Sequence, residues 1–323
     1  MKTLYANETT FGVSQLQSLE ELKSGIAATI GFFDGVHLGH RFLIEQLKDI
    51  AQKASVPSAV ITFHIHPRKV LQNDYMPELL TSFEEKLYQL STTGIDYCIV
   101  IDFTQTLSEY SACSFIQNIL FEQFHVKYLL IGYDHKFGKG RIDGFNACKK
   151  YGEIVEMQVI LADQLTEEKV HHSSTAIRKM LKAGRVKDAA QLLSYNYKLK
   201  GAVVKGNKIG SEMGFPTANI DLFDKGKIIP QDGVYAVRVK IERNIYNGML
   251  YIGFRPTLFH NKKELRIEVN IFDFSGNLYG NPIEVEFIDY LRGDMKFKHK
   301  NDLEKQLKED KENALMILNH IDT

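Results

Sequence analysis

Residues 26–54 read IAATIGFFDGVHLGHRFLIEQLKDIAQKA. The opening part, residues 26–33, is an apolar run that predicts a buried strand, whereas residues 37–54 carry apolar positions at helical spacing and predict a helix. At the junction, beside a glycine-rich turn, the chain places His37 and His40 three residues apart. Strand, turn and helix in this order are typical of the repeating unit of a parallel α/β sheet.

The same alternation continues beyond this unit, to about residue 134. Continuous apolar strands separated by helices predict a parallel sheet that is covered on both faces. Ligands of such sheets bind beyond the carboxyl ends of the strands, which is where the histidine pair falls. The predicted strands are residues 26–33, 58–64, 96–103 and 127–134, and the predicted helices are residues 37–54, a stretch around 83–94, and residues 111–124.

His37 and His40 have two competing explanations. An HxxH pair on a helix can supply two zinc ligands, but a zinc site needs at least one more protein ligand. A glycine-rich turn that leads into a helix exposes backbone N–H groups to an anion, and histidines there can donate hydrogen bonds to phosphate oxygens. We favour phosphate binding, because nothing in the sequence fixes a complete zinc ligand set, and no GxxxxGK[ST] motif supports P-loop chemistry. The histidines that could complete a zinc site are His64, His66, His171 and His172.

Composition narrows the class of protein. The chain has 323 residues, more than one ordinary core needs, so two domains are expected. Forty basic residues balance forty acidic ones, which argues against a nucleic-acid partner or an anionic membrane surface. Cys98, Cys113 and Cys148 are scattered and lack CxxC spacing, which favours a reducing compartment and no zinc cluster. Without a secretory h-region or an apolar run of about 20 residues, we expect a cytoplasmic protein.

The second half of the chain has a different pattern. Several strands with period-2 alternation, separated by turns, predict an all-β unit, a small barrel. An amphipathic charged helix follows at residues 300–321, and it could pack on the barrel or on a second copy of the chain, so self-association is one expectation. We place the first domain at residues 1–186 and the second at residues 187–323. The predicted barrel strands are residues 233–241, 245–253, 264–274 and 282–291.

Three motifs of the first half resemble a known superfamily. GFFDGVHLGH (31–40) is similar to the GxFDGVHxGH element of nucleotidyltransferases related to class I tRNA synthetases, and SSTAIRKML (173–181) resembles their second element, a mobile loop that holds ATP phosphates. GYDHKFGKGR (132–141) resembles the GxDFRFGxxR stretch of one branch, the FMN adenylyltransferases. The resemblance implies an ATP site with catalytic His37 and His40 and a flavin site. The implied ATP-binding residues are Gly31, Phe32, Asp34, Gly35, His37, His40, Ser174, Thr175 and Arg178, and the implied flavin-binding residues are Asp134 and Phe137.

Motifs of the second half resemble riboflavin kinases. GFPTAN (214–219) is similar to the PTAN element, and RIEVNIFDFSGNLYG (266–280) to the EVHIFDFxGDLYG stretch of that family. By period-2 alternation Glu268 shares a strand face with Arg266 and Asn270, where a carboxylate could accept the proton of a substrate hydroxyl. IGFRPTL (252–258) and LRGDMKF (291–297) extend the resemblance. It implies Glu268 as the catalytic base, Thr217 and Asn219 as Mg²⁺ and ATP ligands with Gly206 and Gly214 beside the nucleotide, and Arg292 and Asp294 as flavin contacts.

Taken together, the chain resembles the prokaryotic bifunctional riboflavin kinase/FAD synthetases over nearly its whole length. The resemblance implies an α/β nucleotidyltransferase domain with a Rossmann-like parallel sheet, followed by a small β-barrel of the riboflavin kinase type with a terminal helix. It also implies the substrates riboflavin, FMN and ATP, and Mg²⁺ as the cofactor. The alternatives are a different nucleotidyltransferase fused to a barrel and a non-catalytic flavin carrier. The chain departs from the family pattern at Ile65, His135, Lys136, Tyr251, Asn270, Asn277 and Asp294.

Overall fold

The structure is a computed structural model that describes residues 1–6, 22–72, 74, 76–132, 144–164, 173–206, 213–256 and 263–321. The chain divides into two compact units, Met1–Ser173 and Ser174–Thr323. The boundary expected at residues 186 and 187 stays a prediction, because the limits of a compact unit need not be the limits of an activity. Among the described residues, no helix has the length and apolarity needed to span a bilayer.

The first unit contains a parallel six-stranded sheet with the order β1-β4-β3-β2-β5-β6. The four predicted strands form its centre and are confirmed. The two outer strands, β1 and β6, were not predicted, because they are short and expose residues such as Lys2 and Gln158. The strands are β1 Lys2–Ala6, β2 Ile26–Ile30, β3 Ser58–Phe63, β4 Tyr97–Ile101, β5 Val126–Ile131 and β6 Gln158–Leu161.

Both faces of this sheet are buried, as the continuous apolar runs predict. Alternate residues of one strand belong to different cores: Ala28 and Ile30 pack in one apolar cluster, and Ala27 packs in the other. The helices are α1 Leu38–Ala54, α2 Pro67–Leu71, α3 Phe83–Ser91, α4 Gln105–Ser108, α5 Ala112–Ser114 and α6 Phe145–Ile154, and a π-helical segment, Phe115–Phe121, continues α5.

The second unit begins with two helices and continues as a closed barrel with the order β10-β11-β8-β7-β12-β9. The barrel is confirmed, but it has two more strands than the sequence pattern indicated. The two strands that were not predicted are β7 and β8. They lie in the glycine-rich and PTAN segments, which were interpreted as binding motifs and not as strands. The elements are α7 Ser174–Lys182, α8 Val186–Leu193, β7 Lys198–Val204, β8 Ala218–Leu222, β9 Gly233–Ile241, β10 Asn244–Pro256, β11 Lys263–Ile271, β12 Pro282–Arg292 and α9 Lys300–Ile321.

The terminal helix α9 packs on the outside of the barrel. Its Ala314 and Leu318 are fully buried in one cluster with Ala236 of β9 and Met249 of β10. Since side chains alternate between the two faces of a strand, neighbouring residues such as Leu250 point into the barrel. Of the two packing partners expected for this helix, the barrel is therefore one.

Candidate active sites

The turn after β2 has an unusual backbone. Phe33 and Val36 both adopt positive φ, at 55° and 40°, and Gly35 lies between them at 83°. Positive φ is uncommon for any residue with a side chain and a genuine outlier for a β-branched one. Phe33 and Val36 are nevertheless buried, so packing holds them in this conformation. Backbone strain of this kind clusters at binding and catalytic sites, so the turn and the residues that follow it are candidates for such a site.

Asp34 anchors this turn. Its buried carboxylate accepts hydrogen bonds from the backbone N–H of Leu80, at 2.9 and 3.1 Å, and from the backbone N–H and the hydroxyl of Thr81, at 3.2 and 3.3 Å. The same Thr81 hydroxyl accepts from the backbone N–H of Gly35 at 3.2 Å. Asp34 thus ties the turn to the segment that precedes α3.

Helix α1 begins directly after the turn, with His37 as its N-cap residue. The His37 side chain makes no capping hydrogen bond, and the first turn of α1 contains no acidic residue. The N–H groups and the positive end of the helix dipole there suit an anion. As the sequence predicts, the histidine pair lies at the N-terminal end of α1, here called the helix mouth, at the carboxyl edge of the sheet.

The two histidines stack on each other, with ring centroids 3.7 Å apart and planes 22° apart. His40 also makes an edge contact with the ring of Phe33 at 5.1 Å. Among the described residues, no partner accepts from or donates to the buried Nδ1 of His40. Burial, and then the neighbouring His37, lower the pKa of His40 well below its usual value, so this imidazole is neutral at neutral pH. It can therefore present a hydrogen bond without a second positive charge.

One residue of this edge, Lys86 of α3, was missed from the sequence. Its Nζ donates hydrogen bonds to the carbonyl oxygens of Phe63, at 2.7 Å, and Phe32, at 3.3 Å, and lies 4.1 Å from the centroid of the Phe32 ring.

Gly31 continues the sheet, because its N–H donates to the carbonyl of Ile61 at 3.0 Å. Gly31 and Phe32 therefore connect the sheet to the strained turn.

The remaining histidines considered for zinc have other surroundings. His66 is the N-cap residue of α2 and accepts from the backbone N–H of Arg68 at 3.1 Å. His64 Nδ1 lies 3.7 Å from a carboxylate oxygen of Asp102. In the part of the chain that the structure describes, no group of three His, Cys, Asp or Glu side chains is arranged to hold a metal. His171 and His172 lie outside the described residues.

The structure describes only some of the other residues predicted from the adenylyltransferase motifs. Ser174, Thr175 and Arg178 form the first turns of helix α7, in the second compact unit, where the motif resemblance indicated a loop. Asp134 and Phe137, with the altered pair His135 and Lys136, lie outside the described residues.

In the second unit, predicted kinase residues form one row across adjacent strands. Asn219 of β8 is the register partner of Glu268 of β11, and Glu268 is the register partner of Tyr251 of β10. Register partners project from the same face of a sheet, and here it is the outer face, because Met249, two residues from Tyr251, packs under α9. The hydroxyl of Thr217 donates to Glu268 Oε2 at 3.3 Å. Thr217, Asn219 and Glu268 are thereby brought together.

The backbone around this row is closely fitted. A Cβ atom on Gly206 would overlap the carboxamide of Asn219, so glycine is required for this approach. Asn270 Nδ2 donates to the carbonyl of Pro216 at 2.7 Å and holds the turn that leads to Thr217. Next to it is a cavity of about 330 Å³, lined by Gly214, Phe215, Pro216, Asn270, Ile271, Phe272, Asp273, Phe274, Ser275 and Lys311.

The two predicted flavin contacts of the barrel have protein partners. Tyr251 donates its hydroxyl to Asp294 Oδ1 at 3.0 Å, which links β10 to the segment after β12. Arg292 forms a bidentate ion pair with Asp310 of α9: Nε donates to Oδ1 at 2.9 Å, and Nη2 donates to Oδ2 at 2.7 Å. Arg292 also donates to the carbonyl of Gly293 at 2.9 Å, so it fixes the start of that segment.

The ion pair of Arg292 gives the first prediction. Asp310 is 1 % exposed, and Asp310→Asn would leave the guanidinium without its buried counter-charge. We expect this change to lower the free energy of unfolding of the second unit by about 3 kcal/mol. Urea unfolding followed by circular dichroism measures this value.

The control is Glu309→Gln, which changes the neighbouring exposed carboxylate of the same helix. Glu309 forms only a surface pair with Lys305, at 3.9 Å, so its loss should cost less than about 1 kcal/mol. Equal small effects of the two variants would show that Arg292 is not held by Asp310.

A parallel sheet with a histidine pair at a helix mouth, and a barrel that displays a threonine, an asparagine and a glutamate in one row, are features expected of an ATP-dependent transferase. Comparison with known proteins agrees. The family model of FAD synthetase matches residues 19–176, and the family model of riboflavin kinase matches residues 193–318.

Curated relatives resemble the chain over nearly its full length. The bifunctional riboflavin kinase/FMN adenylyltransferase of Haemophilus influenzae is 38% identical over 309 residues, which cover 94% of this chain and 98% of that protein. The protein of the same name from Bacillus subtilis is 35% identical, with 94% and 95% covered. A crystal structure from Streptococcus pneumoniae, titled a macrolide-efflux protein, matches with a TM-score of 0.84 and 31% identity, covering 97% of this chain and 99% of that one.

The chain belongs to the family of bifunctional riboflavin kinase/FMN adenylyltransferases. It phosphorylates riboflavin to FMN with ATP and then transfers an adenylyl group from ATP to FMN, which gives FAD and pyrophosphate.

Proposed function

We propose that the two reactions use two separate sites, one in a domain of residues 1–186 and the other in a domain of residues 187–323. The row of Asn219, Glu268 and Thr217 carries this proposal for riboflavin phosphorylation. The strained turn before His37, with the stacked His40, supports the assignment of FMN adenylylation. The two sets of side chains offer different chemistry, a carboxylate base in one and imidazole and backbone N–H donors at a helix mouth in the other.

In the kinase reaction, the terminal hydroxyl of riboflavin attacks the γ-phosphorus of ATP. The new O–P bond forms as the bond to the β-phosphate oxygen breaks, ADP leaves, and Glu268 accepts the proton of the hydroxyl. The hydrogen bond from Thr217 orients this carboxylate, and the cross-strand pair with Asn219 fixes its position on the strand. The cavity of about 330 Å³ directly before Thr217, which Gly214 lines, is the place we assign to the nucleotide. Gly206 lies against the carboxamide of Asn219 and stays a proposed nucleotide contact.

The residues present suit Mg²⁺. This ion prefers hard oxygen ligands and usually retains water and substrate phosphates. The Thr217 hydroxyl, the carboxamide oxygen of Asn219 and the Glu268 carboxylate supply oxygens within one row, and the closely packed Gly206 restricts the carboxamide. Thr217 and Asn219 would hold the ion with the ATP phosphates, and when bound it would neutralise phosphate charge.

In the adenylyl transfer, a phosphate oxygen of FMN attacks the α-phosphorus of ATP, and pyrophosphate leaves. The FMN phosphate is already ionised, so this step needs little base catalysis and depends on positioning and charge stabilisation. His37, His40 and the N–H groups of the first turn of α1 are the donors we assign to the phosphates. Asp34 acts by holding Gly35 and the turn rather than through a free carboxylate, and Gly31 and Phe32 join the turn to the sheet.

The other assigned contacts rest on the motifs. Ser174, Thr175 and Arg178 stay proposed ATP ligands of the adenylyltransferase on the strength of SSTAIRKML alone, and Asp134 and Phe137 stay proposed flavin ligands. On the kinase side, Arg292 and Asp294 stay proposed flavin contacts, and Arg292 also holds the start of its segment through the backbone of Gly293. Self-association and the absence of a nucleic-acid partner stay predictions. Residence in the cytoplasm is supported by the free thiols of Cys98, Cys113 and Cys148.

Thr217→Val tests the proposed kinase site. The variant keeps the shape of the side chain but removes the hydroxyl, so we expect the Mg²⁺ concentration that gives half-maximal FMN formation to rise about tenfold or more, because one oxygen ligand is lost. The Mg²⁺ dependence of FMN adenylylation should not change. Initial rates across a Mg²⁺ titration, with riboflavin or FMN as the flavin, measure both.

Thr217→Ser is the matched control, because it retains the hydroxyl and should remain close to the unaltered protein. If Thr217→Val leaves the titration with riboflavin unchanged in a folded chain, the proposed metal ligand is wrong.

A further inference from the structure

Lys86 is a buried cation at the edge of the sheet where the adenylyltransferase histidines lie. It is 2 % exposed, on the inner side of α3, four residues before the buried Leu90. Among the described residues, no carboxylate lies within 4.0 Å of its Nζ, and its hydrogen bonds go to two backbone carbonyls. A buried ammonium without an ion-pair partner is costly, so a protein that keeps one has a use for its charge or its bonds.

The two bonds of Lys86 join the ends of neighbouring strands. Phe63 is the last residue of β3, and Phe32 follows β2 and begins the strained turn. The Phe32 carbonyl also accepts from the hydroxyl of Thr62 at 3.2 Å. Lys86 therefore fixes the backbone just after the end of β2, where the turn that leads to His37 begins.

A second link runs between the same two segments. Asp34 in the turn accepts hydrogen bonds from Leu80 and Thr81, which precede α3, and Lys86 in α3 donates back to Phe32 in front of Asp34. The start of α3 is itself fixed by a capping box between Ser82 and Glu85. The turn and α3 thus form a closed loop of contacts.

The pKa of Lys86 lies close to neutral pH, so a nearby anion can change its charge. Burial lowers the pKa of Lys86 to about 8, against a smaller opposing effect of the Asp34 carboxylate. Cys98 is a neutral thiol, because burial raises its pKa to about 12. His66 packs on the Phe32 ring and His64 on the Phe83 ring of the same helix. At neutral pH the ammonium is charged, and above about pH 8 it loses its proton in the free protein.

We propose that Lys86 is a positioning residue of the FMN adenylyltransferase site: it fixes the turn through Phe32 and places a buried positive charge behind the helix mouth that receives the ATP phosphates. This inference rests on the proposed site at His37 and His40. Lys86 acts through the turn and through its field, and it makes no contact with the reacting atoms.

The charge of Lys86 should make ATP binding depend on pH. A polyphosphate at the helix mouth favours the charged form of Lys86, so ATP binding above pH 8 must be accompanied by uptake of a proton. The apparent affinity for ATP in FMN adenylylation should therefore fall as pH rises through about 8. FMN formation, in the other unit, should lack this fall.

Lys86→Met tests the inference, because methionine has similar length and tolerates burial. With FMN and ATP as substrates, we expect the KM for ATP to rise about tenfold or more at pH 7, and the fall of kcat/KM between pH 7.5 and 9 to disappear. Circular dichroism verifies the fold. The matched control is Lys53→Met, at the exposed far end of α1, which should behave like the unaltered protein.

Three outcomes would overturn the inference. The first is an unchanged KM for ATP. The second is a loss of rate with an unchanged pH profile, which would mean that Lys86 serves only the fold. If Lys86→Met does not fold, the unaltered protein decides: kcat/KM for ATP that stays flat from pH 7 to 9 contradicts the proposal. His37→Asn separates this inference from the site assignment, because a fully active His37→Asn variant would refute the site itself, whatever Lys86 does.

Discussion

Replacing Glu268 with glutamine is expected to slow FMN formation about a hundredfold or more and to leave the conversion of FMN to FAD unchanged. Glutamine preserves the size of the side chain and its hydrogen bond with Thr217, but it cannot accept the proton of the riboflavin hydroxyl. General base catalysis commonly contributes a factor of about 10² to 10⁴, which sets the expected loss. Chromatographic assays that start from riboflavin in one case and from FMN in the other measure the two rates.

Glu242→Gln is the matched control, since it makes the same chemical change at an exposed position after β9 of the same barrel. It should leave both rates unchanged. Equal loss of both activities in a folded Glu268→Gln variant would contradict separate sites, and an unchanged rate of FMN formation would remove Glu268 as the base.

Replacing His37 with asparagine is expected to have the opposite selectivity, with FAD formation slowed about a hundredfold or more and FMN formation unchanged. Loss of one preorganised donor to a developing charge typically costs a factor of about 10² to 10³. Asparagine is a favourable N-cap residue, so α1 should still begin at the same place. The measurement is the rate of FMN adenylylation at saturating ATP, together with the KM for ATP.

His125→Asn serves as the control for this variant. His125 also lies in the first unit, is partly exposed and has a φ of 54°, which asparagine tolerates. Its variant should retain both activities. A His37→Asn protein that makes FAD at the normal rate would show that the helix mouth does not handle the phosphates.

Much of the fold could be predicted from local pattern. The run IAATI and the helix that follows it have unambiguous periodicity, and the structure has β2 at Ile26–Ile30 and α1 at Leu38–Ala54. The strands that escaped prediction had weak local signals. β1 and β6 are short sheet edges, and β8 begins inside the PTAN motif, so its strand character depends on pairing with β7 and β11.

The candidate sites were predicted less completely, because several of their features depend on residues far apart in sequence. The flavin contact expected of Arg292 stays a prediction, but its ion pair with Asp310 could not be predicted, because the sequence did not show where the terminal helix packs. Likewise the motif gives no hint that Phe33 and Val36 adopt positive φ, because packing imposes that conformation.

Lys86 was missed although a signal was present. It lies three residues after Phe83 and four before Leu90, on the apolar face of a predicted helix, where a lysine is normally expected to extend to solvent. Its partners are backbone carbonyls, which no sequence pattern displays.

The most direct test of two separate sites is a mixing experiment. Glu268→Gln and His37→Asn proteins are incubated alone and together with riboflavin, ATP and Mg²⁺, and the flavins are separated over time. Alone, the first variant should leave riboflavin unchanged and the second should accumulate FMN. Together they should produce FMN and then FAD, because FMN made by one chain is adenylylated by the other. A mixture that forms no FAD, although both proteins are folded, would contradict the account.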